Sequence, residues 1–471
     1  MKAITKHYID GSFVESHGRK VMASINPANQ QVLGSVLLGD EEDARRAIAA
    51  AKRAFTTYSR TTKKERSEIL RRLHHVTSAH IGDLTDAMVT EYGGVSQFSS
   101  LIVQTGVEAF RQAEKALQDL ELERKWDKTT VLMEPVGVAG LITAWNANAL
   151  FICLKTASAL AAGCTVVIKP SEMSSLQTQV LLDCLNEAGL PKGVVNVVNG
   201  LGDTVGAELV RNPDVAKISF TGSAAVGERI MRDGAASMKR VTLELGGKSP
   251  NILLEDVNLN EAIPLALVAA FLNSGQACAA GTRLLVPRRR LDEVKRVIVD
   301  AMRAYTVGDP ADPKIAVGPM VSEKQYERVQ SYIRKGIEEG AEVLVGGEGH
   351  PRGLEHGNYV KPTVFTNVSN DMTIAQEEIF GPVLSVIAYD TVDEAITIAN
   401  DSKYGLHAFV SGNDVQAARQ VARQILAGRV VINGMRDDPQ APWGGFKHSG
   451  VGREYGAFGI EAFLEARAIL E

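Results

Sequence analysis

Cysteine is scarce here. Four residues in 471, none in a Cys-x-x-Cys pair, leave neither a disulfide framework nor a zinc knuckle to hold the chain. A basic excess is missing as well: the formal net charge is -5, which speaks against a nucleic-acid partner. The run Arg288-Arg289-Arg290 stands just before a helical pattern and reads as a solvated helix start. Long apolar stretches are also lacking. Residues 150–168 come nearest, but Lys155, Thr156, Ser158 and Gly163 interrupt them, so they read as a buried helix and a strand rather than a membrane span. Residues 1–13 mix Lys2, Lys6, His7 and Asp10 with apolar side chains and hold no apolar core of a secretory signal. No short-period repeat or low-complexity tract is visible. These absences leave a cytoplasmic protein with free thiols and no metal, nucleic-acid or membrane partner as the expectation.

What is present is an ordinary globular balance, 45% hydrophobic and 23% charged, in a chain too long for one core. Residues 40–55 and 62–80 have amphipathic helical periodicity, with Asp40 placed to cap the first. From residue 136 the rhythm changes. Apolar runs at 136–142, 165–168 and 194–198 alternate with helical patterns to about 162 and over 174–188, and runs at 217–220 and 241–245 continue them. That βαβαβ order calls for a parallel sheet covered by helices on both faces. A second series spans residues 251–432, with strands at 283–286, 343–345 and 383–388. Residues 120–133 and the last ten are expected to make an exposed ribbon, whose open edge needs a partner.

Several strand ends carry residues suited to chemistry. Gly200-x-Gly202-x-x-x-Gly206 follows a strand and suits either a simple turn or a phosphate at a helix start. In Phe220-Thr221-Gly222-Ser223 the serine serves equally as a helix cap or as a pyrophosphate donor. Lys169-Pro170-Ser171-Glu172 ends another strand, where ligands of open parallel sheets gather; its Lys and Glu are either solvated or placed for ribose hydroxyls. Most free cysteines are small buried hydrophobes, and Cys153, Cys164 and Cys184 sit in apolar segments that fit this description. Cys278 differs, because its Gly275-Gln276-Ala277 approach leaves room for a ligand. Glu244, alone in an apolar strand end, is costly to bury unless it is paired or functional.

Seven segments in order then resemble the aldehyde dehydrogenase superfamily across essentially the whole chain: Trp145-Asn146, Lys169-Pro170-Ser171-Glu172, Phe220-Thr221-Gly222-Ser223, Leu243-Glu244-Leu245-Gly246-Gly247-Lys248-Ser249-Pro250, Gly275-Gln276-Ala277-Cys278, Glu377-Glu378-Ile379-Phe380-Gly381-Pro382 and Trp443-Gly444-Gly445-Phe446-Lys447. The resemblance implies an α/β fold with a Rossmann-like nucleotide-binding domain (1–119 and 138–246), an α/β catalytic domain (247–459) and a β oligomerisation ribbon (120–137 and 460–471). It implies oxidation of a small-molecule aldehyde to the acid in a homodimer or homotetramer. Cys278 would be the nucleophile, Asn146 the oxyanion partner and Glu244 the base that activates water, with Lys155 and Glu454 supporting proton traffic. Trp145, Lys169, Ser171, Glu172, Gly202, Phe220, Ser223, Leu245, Gly246, Glu378 and Phe380 would hold the cofactor. Glu172 points to NAD, while Lys169 keeps NADP open.

Two departures stand out. Ala144-Trp145-Asn146-Ala147-Asn148 lacks both prolines of the family's Pro-Trp-Asn-x-Pro, which predicts a looser Asn146 loop. Ala147 stands where a bulky aromatic is common and Trp443 where Phe is common, which suggests a pocket for a bulky or aromatic aldehyde. A CoA-acylating relative and a non-catalytic binding protein are the alternatives; Glu244 weighs against the first, and the joint presence of Cys278, Glu244, Asn146, Glu378 and Phe380 against the second.

Overall fold

A strand that reads as a continuous apolar run must be covered on both faces. Val138–Ile142, Thr165–Lys169 and Val195–Val197 are buried along their whole lengths. The computed structural model, which describes residues 2–471, sets them parallel with Val215–Thr221 and Arg240–Glu244. In space the order is Arg240–Glu244, Val215–Thr221, Val138–Ile142, Thr165–Lys169, Val195–Val197. The chain therefore moves outward on one side of Val138–Ile142 and then crosses to the other. This reversal opens a crevice at the carboxyl ends of Val138–Ile142 and Val215–Thr221, where doubly wound sheets bind their ligands.

Helices cover this sheet. Asn148–Ala162, largely apolar, is buried except at Phe151, because it lies between the sheet and the long helix Ser96–Asp119. Glu41–Tyr58 begins at Asp40, whose carboxylate accepts from the backbone N–H of Glu42 and Asp43, as the sequence predicts. Strands Lys6–Ile9 and Ser12–Glu15 extend one edge as an antiparallel hairpin, and Gly450–Val451 pairs antiparallel with Arg240–Glu244 at the other. Neither edge was legible from periodicity, since short polar edge strands resemble loops.

A second sheet has seven strands, in the order Glu342–Val345, Thr363–Thr366, Val383–Tyr389, Arg283–Pro287, Pro250–Leu253, His407–Ser411, Arg429–Ile432. All pair in parallel except the first. Arg288–Arg290 forms a short turn before the helix Leu291–Ala301, with Arg288 and Arg290 paired to Asp390 and Glu293 at 2.8 and 3.1 Å. Glu123–Trp126, Thr129–Pro135 and Leu464–Leu470 pair as a separate antiparallel ribbon, in which Leu464–Leu470 is an outer strand. A further three-stranded sheet pairs Lys2–Ile4 and Lys20–Ile25 with Val32–Leu38 between them, and the architecture is the expected α/β class, with a Rossmann-like sheet, a second α/β sheet and a small ribbon.

Candidate active site

Cys278 is delivered by a chain reversal. After the helix Leu259–Phe271, residues Asn273, Ser274 and Gly275 take φ values of 52°, 57° and 73°, the left-handed region that non-glycine residues seldom enter. Side chains pin the turn: Asn273 Nδ2 donates to the Asn146 carbonyl at 3.0 Å, and Ser274 Oγ accepts from the Gly318 N–H at 2.9 Å. Gln276 extends the anchorage by accepting from the Val321 N–H at 3.0 Å and donating to Tyr92 at 3.2 Å. The strain is held by buried polar contacts on several sides. Cys278 is partly exposed, whereas Cys153, Cys164 and Cys184 are buried.

Cys278, Glu244 and Asn146 line one cavity of about 310 Å³, together with Trp145, Ser223, Leu245, Gly246, Glu378 and Phe380. Asn146 Nδ2 donates to the Gln276 carbonyl at 3.0 Å, so its amide is fixed beside the cysteine loop. The looseness predicted from the missing prolines is not what the contacts describe. Thr143 Oγ1 donates to Asn148 at 2.8 Å, and Asn148 donates to Thr178 at 3.1 Å. With the Asn273 and Gln276 bonds, side chains tie the loop where proline rings would have stiffened it.

Glu244 ends its strand buried, and neither carboxylate oxygen has a hydrogen-bond partner among the described residues. Burial first, and then the nearby Glu454 charge, push its pKa well above the usual carboxylate range. Gly444 faces it: a Cβ there would lie 3.0 Å from Glu244 Oε1 and 2.7 Å from the Gly452 carbonyl, so a side chain would crowd the carboxylate. Lys155 and Glu454 form a buried ion pair at 2.5 Å, and Ser219 lies 3.1 Å from the lysine and 3.2 Å from Glu454. Burial, followed by the Glu378 and Glu244 carboxylates, pushes the Cys278 thiol up to about 12.

The crevice at the strand ends continues from this cavity. It encloses about 550 Å³ and is lined by Trp145, Lys169, Ser171, Glu172, Gly202 and Phe220 among others. Lys169 Nζ pairs with Glu172 at 3.0 Å, and Ser171 Oγ accepts from the Met173 N–H. Ser223 occupies the cap position of the helix Ala224–Gly234, yet its exposed side chain makes no capping bond. Gly202–Gly206 is a single wide helical turn that leads directly into the five-residue helix Ala207–Arg211. Phe220 and Leu245 belong mainly to the core beneath the crevice.

At the Cys278 end, Glu378 Oε1 accepts from the Gly247 N–H at 3.0 Å. A Cβ on Gly246 would lie 2.2 Å from Glu378 Oε2, so only glycine admits the carboxylate there. Burial pushes the Glu378 pKa up to about 7. Trp145 and Phe380 meet edge to face, with centroids 5.3 Å apart. Two residues of this wall were missed from the sequence. Gln325 donates to the Phe380 carbonyl at 2.8 Å, and Arg328 donates to the Glu378 carbonyl at 2.7 Å. They lie on the amphipathic helix Glu323–Glu338, whose polar residues look like a solvated face.

Ala147 and Trp443 lie outside the Cys278 lining. Ala147 is buried against Ala109, Leu150 and Leu154. The last three border a further cavity of about 390 Å³, with Tyr455, Asp437 and Pro439 on its wall. Trp443 packs against Tyr455 and His407 at 6.2 and 5.8 Å, and its backbone pairs with Glu454.

Comparison with known proteins agrees with this geometry. The profile of the aldehyde dehydrogenase family matches residues 13–469. A putative aldehyde dehydrogenase of Staphylococcus haemolyticus is 43% identical over 470 residues, covering 100% of this chain and 99% of its own. Aldehyde dehydrogenase C from Pseudomonas syringae, solved as a mutant with NAD+ and octanal, superimposes with a TM-score of 0.97 at 44% identity, covering 99% of this chain and 96% of that one. Betaine aldehyde dehydrogenase from Staphylococcus aureus, solved with NAD+, gives a TM-score of 0.96 at 36% identity, over 99% of this chain and 94% of that one. The chain belongs to the aldehyde dehydrogenase family.

Proposed function

We propose that this protein oxidises an aldehyde to its carboxylic acid with NAD, through a thioester on Cys278 hydrolysed by water that Glu244 activates. The observation that carries the reading is the convergence of Cys278, Asn146, Glu244 and Glu378 on one cavity continuous with the strand-end crevice. The residues present fit a dinucleotide. Gly246 leaves the space in which Glu378 sits, Ser223 offers an uncommitted hydroxyl, and the two cavities share Trp145 and Gly222 along an extended path. When bound, the nicotinamide accepts a hydride from the substrate carbon.

The chain's own residues supply the rest. The Cys278 sulfur, as thiolate, adds to the aldehyde carbon and forms a thiohemiacetal. The Asn146 amide and the Cys278 backbone N–H stabilise the negative oxygen. Loss of hydride leaves the thioester. Glu244 then takes a proton from water, the water oxygen bonds to the acyl carbon, and the carbon–sulfur bond breaks to release the acid and the Cys278 thiolate. Lys155 and Glu454 pass protons toward Glu244. Water is the acyl acceptor in this scheme, because a buried base beside the cysteine serves hydrolysis and is superfluous to CoA transfer.

Glu172 supports NAD over NADP: it neutralises Lys169 at 3.0 Å and would repel a 2′-phosphate. The small Ala147 side chain beside the cavity of about 390 Å³ supports a bulky or aromatic aldehyde. We assign the nucleotide-binding domain to 1–119 and 138–246, the catalytic domain to 247–459 and the ribbon to 120–137 and 460–471. The ribbon's outer strand supports a homodimer or homotetramer, and no helix among the described residues is long and apolar enough to cross a membrane. A cytoplasmic setting fits the four free thiols. The test is aldehyde-dependent NADH formation that vanishes in Cys278→Ala. Benzaldehyde is expected to give a higher kcat/KM than propanal, and equal or lower values would overturn the bulky-substrate reading. Activity retained in Cys278→Ala would overturn the mechanism.

A further inference from the structure

Arg429 begins the outermost strand of the second sheet, and its guanidinium is committed almost entirely to one loop. Nε donates to the Pro442 carbonyl at 3.0 Å. Nη2 donates to the Asp438 and Ala441 carbonyls at 2.9 and 2.7 Å, and Nη1 pairs with the Asp437 carboxylate. The same planar group lies over two aromatic rings, 5.1 Å from the Trp443 centroid and 5.2 Å from that of Tyr455. Its side chain is only 12% exposed, so these contacts are little diluted by water.

The loop held in this way forms part of the cavity wall. Asp437 and Pro439 line the space of about 390 Å³, opposite Leu150 and Leu154 and beside Tyr455. From the other side, Gln440 Nε2 donates to Gln112 Oε1 at 2.8 Å, which ties the loop to the helix Ser96–Asp119. Tyr455 has a φ of 69°, a strained value for an aromatic residue, and it follows Glu454 directly. Arg429 therefore fixes the loop, Trp443 and the Tyr455 ring together.

We propose that Arg429 is a positioning residue for aldehyde selectivity, holding the loop 437–442 and Tyr455, which Trp443 backs, as a rigid wall of the cavity of about 390 Å³. It touches no reacting atom. Its effect is on how well a bulky aldehyde is seated, and a short aldehyde that does not reach the wall is indifferent to it. The inference rests on the proposed reading that a bulky aldehyde bound at Cys278 extends into this cavity.

The test compares wild type, Arg429→Ala and Arg429→Lys with benzaldehyde and propanal at saturating NAD. For Arg429→Ala, KM for benzaldehyde is expected to rise about tenfold, the scale of losing charge-assisted hydrogen bonds, while kcat for propanal stays within about twofold. Arg429→Lys keeps the charge but lacks the planar fork, so its KM for benzaldehyde should be intermediate. It also serves if the alanine variant does not fold, as judged by circular dichroism and NAD binding. Equal losses on both aldehydes, no change on either, or wild-type selectivity in Arg429→Lys would overturn the proposal. Wild-type activity that survives Cys278→Ala would instead overturn the underlying mechanism.

Discussion

The site that Cys278 and Glu244 occupy disfavours the charged form of each. The thiol is pushed up to about 12, by burial and then by the Glu378 and Glu244 carboxylates; Glu244 is raised by burial and by Glu454. In the proposed mechanism the thiolate of Cys278 must therefore be favoured by something besides these surroundings. A cationic ring beside the sulfur would do so for Cys278 by favouring the thiolate. Iodoacetamide should therefore alkylate Cys278 slowly in the free enzyme, with a rate that climbs about tenfold per pH unit in the neutral and mildly alkaline range, because only thiolate reacts. Addition of NAD+ should raise the rate at neutral pH. A free-enzyme rate that plateaus near neutral pH, followed by peptide mapping, would show that the thiol ionises more readily than its surroundings dictate.

Elements set where these residues stand, and one helix start illustrates the cost. Asp43, at the third position of Glu41–Tyr58, is wholly buried and accepts from the His17 N–H at 3.0 Å, the Gly18 N–H at 3.1 Å and Ser16 Oγ at 3.2 Å. Burial alone would raise its pKa, but the His7 imidazole at 3.5 Å and these hydrogen bonds outweigh it and hold the carboxyl well below the usual range. A depressed folded-state pKa means that the stability is complete above the unfolded value and is lost as pH falls through the folded one. Asp43→Asn should therefore cost about 2 kcal/mol at neutral pH and flatten the acid limb of the unfolding curve, readable by thermal melts across pH. An unchanged acid limb would contradict this role. The inner strands of both large sheets were legible because burial on both faces leaves them continuously apolar: Thr165–Lys169 of the first and Val383–Tyr389 of the second fall within a residue or two of where the sequence predicts them. Edge strands such as Lys6–Ile9 carry no such signal. Polar residues that work by pairing across the fold are equally silent. Lys155 meets Glu454 from 299 positions away, and Arg429 has nothing in its neighbourhood to mark it. The first pair was reachable only through family resemblance, and Gln325, Arg328 and Arg429 only through coordinates.

At the scale of the molecule, the ribbon and the site pose separate questions. Among the described residues Leu464–Leu470 pairs on one side only and leaves Ile469 and Leu470 exposed, an apolar edge that the proposed homo-oligomer would cover with a second copy. Placing lysines at both positions should lower the mass found by sedimentation toward that of the 50.6 kDa monomer; an unchanged oligomer would remove the ribbon from the interface. The proposed catalytic cycle draws on both large sheets, since Glu244 ends a strand of one and Cys278 lies between elements of the other. The most direct test separates their two steps. Glu244→Gln, mixed with NAD+ and aldehyde, should release about one NADH per active site and then stall, and intact-mass and peptide analysis should place the acyl group on Cys278. Continued turnover at the wild-type rate, or an NADH burst with no acyl group on Cys278, would contradict thioester chemistry with Glu244 as the hydrolytic base.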